Sequence, residues 1–95
     1  MLKQSKFKLT KNVISTQLGD EAVLLDHERG FYYSLNEVGV SVLEELVKGS
    51  KTYVKLLDKI LEEYDIDEVT ASEDLDMLLE ELLEEKLIRT VAAVS

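Results

Sequence analysis

The sequence predicts an α+β domain in which a three-stranded antiparallel sheet is followed by three helices. Three observations lead there. Residues 13–35 hold three short runs of β-branched, aliphatic and aromatic residues, parted by Gly19-Asp20 and by Asp26-His27-Glu28-Arg29-Gly30. From Asn36 onward the apolar residues recur at helical spacing, in three stretches parted by Gly49-Ser50 and Asp65-Ile66-Asp67. Proline is absent from all 95 residues, which argues against a polyproline linker or low-complexity disorder. That length suits one domain, and an apolar share of 45% provides for a core. The expected division is a flexible start over residues 1–6, one domain over 7–91 and a tail over 92–95.

Each element follows from its residues. Phe7 and Leu9 alternate with lysines and begin the extended pattern. Val13-Ile14-Ser15-Thr16-Gln17-Leu18 is the first strand, favoured by its β-branched residues. Glu21-Ala22-Val23-Leu24-Leu25-Asp26 is apolar in consecutive positions, as in a central strand covered on both sides. The third strand is Phe31-Tyr32-Tyr33-Ser34-Leu35, an edge of the meander. Phe31, Tyr33 and Leu35 share one of its faces, Tyr32 and Ser34 the other.

Asn36 is placed to cap the first helix, which runs to about Lys48 with Val42, Leu43, Leu46 and Val47 on one side. Gly39 inside it costs about 1 kcal/mol relative to alanine, so it marks a close backbone approach. Gly49 is placed as a carboxy-terminal cap. Ser50 or Thr52 caps the second helix, whose apolar face is Tyr53, Val54, Leu57, Ile60, Leu61 and Tyr64. Thr70-Ala71-Ser72-Glu73 matches a capping box and opens the third helix. On that helix Leu75, Leu78, Leu79, Leu82 and Leu83 span roughly 140° of one face. Asp76, Glu80 and Glu84 lie opposite, with Met77 among them. Residues 87–91 form a short extended tail. The short break between the second and third helices suggests a helix-turn-helix.

Composition excludes several function classes. There is no cysteine, hence no disulfide, thiolate metal site or cysteine nucleophile. No apolar run approaches the roughly 18–20 residues of a membrane span, and the amino terminus lacks the apolar segment of a signal peptide. A cytoplasmic location is expected. The net charge is −9, and four lysines fall within residues 1–12, so residues 13–95 carry −13. Residues 70–86 contain seven acids against Lys86 alone. As a DNA-reading helix such a segment would be repelled by phosphate. No phosphate loop, nucleophile elbow or zinc-ligand spacing occurs, and no metal or cofactor is expected. His27, the one histidine, reads as a solvated turn residue. The chain therefore reads as a non-enzyme. An edge strand bearing aromatics beside an amphipathic helix suits strand addition by a peptide. Dimerisation through the leucine-rich helices is a separate possibility.

A wider pattern strengthens that reading. It begins with Val23-Leu24-Leu25-Asp26, Gly30, Tyr32, Leu35-Asn36, Gly39, Leu43, Leu46 and Gly49. It continues through Thr52-Tyr53, Leu57, Leu61, Tyr64-Asp65-Ile66-Asp67, Asp74-Leu75, Leu79, Leu82 and Leu87-Ile88. Over roughly residues 12–90 the chain resembles the PqqD-like recognition domains of ribosomally made, modified peptides. It is most similar to the stand-alone leader-binding subunits of lasso-peptide pathways. The resemblance implies a winged helix-turn-helix that binds a precursor's leader as an extra antiparallel strand on its third strand, with no chemistry of its own.

By that resemblance Phe31, Tyr32, Tyr33, Ser34 and Leu35 supply the ladder and aromatic contacts. Leu75, Leu78, Leu79 and Leu82 line the base of a groove, some of them purely core. Asp76, with Glu80 and Glu84, stands at the rim facing basic leader residues. The implied partners are a leader peptidase and a lasso cyclase, or a radical SAM enzyme with iron–sulfur clusters if the chain is a PqqD-type chaperone. A winged-helix DNA-binding regulator is the remaining alternative. Lys86 departs from the family, where glycine commonly precedes the final Leu-Ile, and this bears on the end of the third helix.

Overall fold

Two short antiparallel sheets and three helices make up the chain in a computed structural model that describes residues 2–91. In order these are β1 (Lys6–Leu9), β2 (Val13–Leu18), β3 (Glu21–Asp26), β4 (Phe31–Leu35), α1 (Glu37–Leu46), β5 (Lys51–Thr52), α2 (Tyr53–Glu63), α3 (Glu68–Glu84) and β6 (Ile88–Val91). One sheet has the order β2-β3-β4, the predicted meander. The arrangement is a winged helix-turn-helix: α2 and α3 are joined by residues 64–67, and the meander forms the wing.

The second sheet has the order β5-β1-β6. The residues expected as extended chain near each end pair with one another, Phe7 opposite Thr90 and Leu9 opposite Ile88. Phe7, Leu87 and Ile88 are buried there. Lys51–Thr52 adds a third strand too short to leave any periodic pattern. Ahead of β1, Leu2–Gln4 form one 3-10 turn, and Leu2 packs against the core. Of the flexible start expected over residues 1–6, Met1 lies outside the described residues, as does the whole 92–95 tail.

β3 is central in its sheet, but only one of its faces is covered. Ala22, Leu24 and Asp26 are buried, opposite Leu35, Tyr33 and Phe31. The other face carries Ile14, Leu25 and Tyr32 in register across three strands, 51%, 37% and 68% exposed. The apolar run in β3 hid this alternation, because a single sheet face suffices to meet helices that follow it in sequence.

Helix ends follow the capping residues. Asn36 Oδ1 accepts the Gly39 N–H at 3.1 Å, and Thr52 Oγ1 accepts the Lys55 N–H at 3.2 Å. α3 starts before the expected capping box. Asp67 is its cap and accepts from Thr70, which holds the Asp67 carboxyl below the usual range. Both Asp67 and Thr70 can cap, and the earlier one adds a turn of helix. Two apolar assignments also move. Val47 and Val54 are exposed, while Leu56, outside the expected face of α2, is fully buried with Tyr53 and Ile60. The buried stripe at 53, 56 and 60 still has helical spacing. It is rotated relative to the broad face because α2 packs between α1 and α3.

α3 ends in a Schellman motif. The Lys86 N–H donates to the Leu83 carbonyl at 3.0 Å and the Leu87 N–H to the Leu82 carbonyl at 2.9 Å. Lys86 sits at φ 61°, the left-handed region. For a residue with a Cβ that conformation costs roughly 1–2 kcal/mol. Lys86→Gly is therefore expected to stabilise the fold by about 1 kcal/mol after the added freedom of the unfolded glycine is set against the gain. Thermal denaturation should show a rise of about 4–8 °C.

Candidate functional site

β4 pairs with β3 along one edge, and among the described residues its other edge has no strand beside it. That edge keeps unpaired backbone groups. A groove of about 320 Å³ runs between it and α3. Tyr33, Ser34 and Leu35 line it from β4, with Asn36 and Val38 at the start of α1. Asp74, Met77, Leu78 and Glu81 line it from α3. Their spacing is i, i+3, i+4 and i+7, one stripe of a helix.

Two tethers join the β3–β4 hairpin to α3 beside the groove. At the hairpin tip, buried Asp26 accepts the Glu28 and Arg29 N–H groups at 3.1 and 3.2 Å and the Arg29 Nε at 2.7 Å. The Arg29 side chain, with those N–H groups, holds the Asp26 carboxyl below the usual carboxylate range. Arg29 Nη2 also donates to the Glu85 carbonyl, and its guanidinium lies 5.1 Å over the Phe31 ring. The wing is thus tied to the carboxy-terminal end of α3, where a cation suits the helix dipole. Along the groove itself, the Tyr33 hydroxyl donates to Glu81 Oε2.

Burial, and then Glu81, pushes the Tyr33 phenol up to about 12. Because its folded value lies above the ordinary 10, the stability it contributes is full below about pH 10 and is lost as pH rises towards 12. Ultraviolet titration should find one tyrosine ionising near 12, and Tyr33→Phe should remove it. Burial raises Tyr53 too, so part of the alkaline loss of stability will remain in that variant.

Of the residues singled out in the sequence, Tyr33, Ser34, Leu35 and Leu78 come together at the groove. Phe31 is half-buried at the hairpin end under Arg29. Tyr32 points out on the uncovered face of the sheet. Leu75, Leu79 and Leu82, expected along the base, are buried in the core and have no surface to offer it. Asp76, expected at the rim, lies on the opposite flank of α3 and accepts the Tyr53 hydroxyl at 2.7 Å. Glu80 and Glu84 are exposed and do not line the groove.

Asp74, Met77 and Glu81 went unrecognised in the sequence. At 100° per residue, the Asp74–Glu81 stripe and Asp76 fall on opposite sides of the buried leucines. The available signal was Met77, a large apolar residue set among acids and 63% exposed. Among the described residues no helix is long and apolar enough to cross a membrane.

Comparison with known proteins agrees with the fold. The family profile described as "Coenzyme PQQ synthesis protein D (PqqD)" matches residues 21–88. Two solved structures share the fold. One is "TbiB1 in Complex with the TbiA(beta) Leader Peptide", with a TM-score of 0.80 and 32% identity, covering 90% of this chain and 99% of that one. The other is "Lasso peptide synthetase B1 complexed with the leader peptide", with a TM-score of 0.74 and 24% identity, covering 87% and 96%. At that lower identity the likeness is one of fold. Comparison with curated proteins gave no match. With a profile spanning β3 to the first residue of β6 and a relative matched over nearly its whole length, the chain belongs to the PqqD family.

Proposed function

We propose that this chain binds the leader of a ribosomally synthesised precursor peptide as a fourth, antiparallel strand on β4. The observation that carries this is the unpaired β4 edge lying beside a groove walled by α3. Main-chain ladder bonds supply affinity that tolerates varied sequences, and side chains entering the groove supply selection. Tyr33, Ser34, Leu35 and Leu78 make the contacts, joined by Met77, Asp74 and Glu81. TbiB1, 32% identical, is described in complex with a leader peptide, and this supports the reading.

The chain performs no chemistry in this scheme. It holds the precursor for a leader peptidase and a cyclase of lasso-peptide maturation, in the cytoplasm. The fold shared with the lasso peptide synthetase B1 supports that pathway over a radical SAM partner. The test is titration, by anisotropy, of the fluorescently labelled leader of any precursor peptide encoded beside this chain's gene. Saturable binding at about 50 µM or tighter is expected. No saturation in that range, with the protein shown to be folded, overturns the proposal.

A further inference from the structure

Resting on the reading of the groove as a leader site, we infer that this chain selects leaders in which a Lys or Arg stands two residues from an apolar side chain. Read along α3, the groove stripe is an acid, an apolar pair and an acid: Asp74, then Met77 and Leu78, then Glu81. Met77 is largely exposed and Leu78 half-buried, so the pair forms an apolar saddle open to solvent. The backbone positions of the two acids are about 10.5 Å apart along the helix axis, with that of the saddle about 5 Å from each. On an extended peptide, side chains of one face recur about every 6.8 Å. A leader residue seated on the saddle therefore brings its next same-face neighbour beside a carboxylate. The long stem of Lys or Arg spans what distance remains.

Neither carboxylate is already neutralised by a cation of this chain. Among the described residues, no Lys or Arg forms an ion pair with Asp74 or Glu81. The facing wall answers them with no charge, being Tyr33, Ser34 and Leu35 of β4 with Asn36 and Val38 at the start of α1. Glu81 accepts the Tyr33 hydroxyl, and a carboxylate keeps further lone pairs for a second donor. An acidic leader residue at the same place would face these charges uncompensated, so the stripe rejects as well as attracts.

The experiment uses three labelled Ser/Thr-rich peptides that differ only around a central leucine. One has lysines two positions to either side, one has glutamines and one has glutamates. The lysine peptide is expected to bind tighter than the glutamine peptide by about two- to fivefold for each carboxylate it meets, and the glutamate peptide to bind weakest. Asp74→Asn with Glu81→Gln should erase that order. Asp58→Asn with Glu62→Gln removes the same charge from exposed α2 positions outside the groove and should preserve it. Equal binding by the three peptides, no binding by the lysine peptide, or equal loss of preference in both double variants overturns the inference. If the precursor leader binds while any of these results holds, only the charge rule falls. If the leader also fails to bind, the leader-site reading falls with it.

Discussion

Addition of the leader is expected to slow amide hydrogen exchange at every second residue of β4. In an antiparallel ladder the N–H groups of successive residues point to opposite edges. One alternate set in Phe31–Leu35 already bonds to β3, and the other lies open on the groove side. Phe31, Tyr33 and Leu35 form one set, Tyr32 and Ser34 the other. A leader that joins as a strand covers only the open set. With leader at about 100 times its dissociation constant, those amides should exchange about 100-fold more slowly. The β3-bonded set should change much less, because it is protected beforehand. Residue-resolved exchange by NMR reads this directly. Protection spread evenly over β4, or confined to backbone amides outside β4, would mean that the peptide binds without extending the sheet.

Gly39→Ala is expected to destabilise the fold although alanine is the better helix former. Intrinsic propensity favours alanine by about 1 kcal/mol. A Cβ at this position, however, would stand 2.9 Å from both Cβ and Cδ2 of Leu35. The Leu35 Cβ is fixed to the backbone of β4, so relief requires moving the strand or the helix. Overpacking of this kind costs typically about 1–3 kcal/mol, and set against the propensity gain the net loss should reach up to about 2 kcal/mol. The urea midpoint should fall with its slope unchanged. Leader affinity should fall as well, because Leu35 both packs under α1 and lines the groove. A stabilised variant would show that the β4–α1 junction yields at little cost.

Much of this junction was legible in the sequence. Asn36 is a capping residue directly after an aromatic strand, and the structure uses it as one. A glycine inside an otherwise good helix implies a close neighbour, and that neighbour is Leu35. The meander, the helix order and the outward position of Tyr32 follow from turn residues and period-2 alternation, which are local. The α3 start was less legible because Asp67 and Thr70 compete with equal chemistry. The pairing of β1 with β6 was not legible at all, since strand partners about 80 residues apart leave no local mark.

The sequence by itself determined which residues of α3 face inward, because the leucine stripe at helical spacing must leave water. It also determined that both flanks of that stripe are acidic and that β4 is an edge. Which flank faces β4 was decided only by tertiary structure. Asp76 and the Asp74–Glu81 stripe are equivalent as helix flanks. The packing of α3 against α2 turns the first toward Tyr53 and the second toward Tyr33. A helix's own periodicity fixes its buried side but carries no information about which neighbour stands to its left or right.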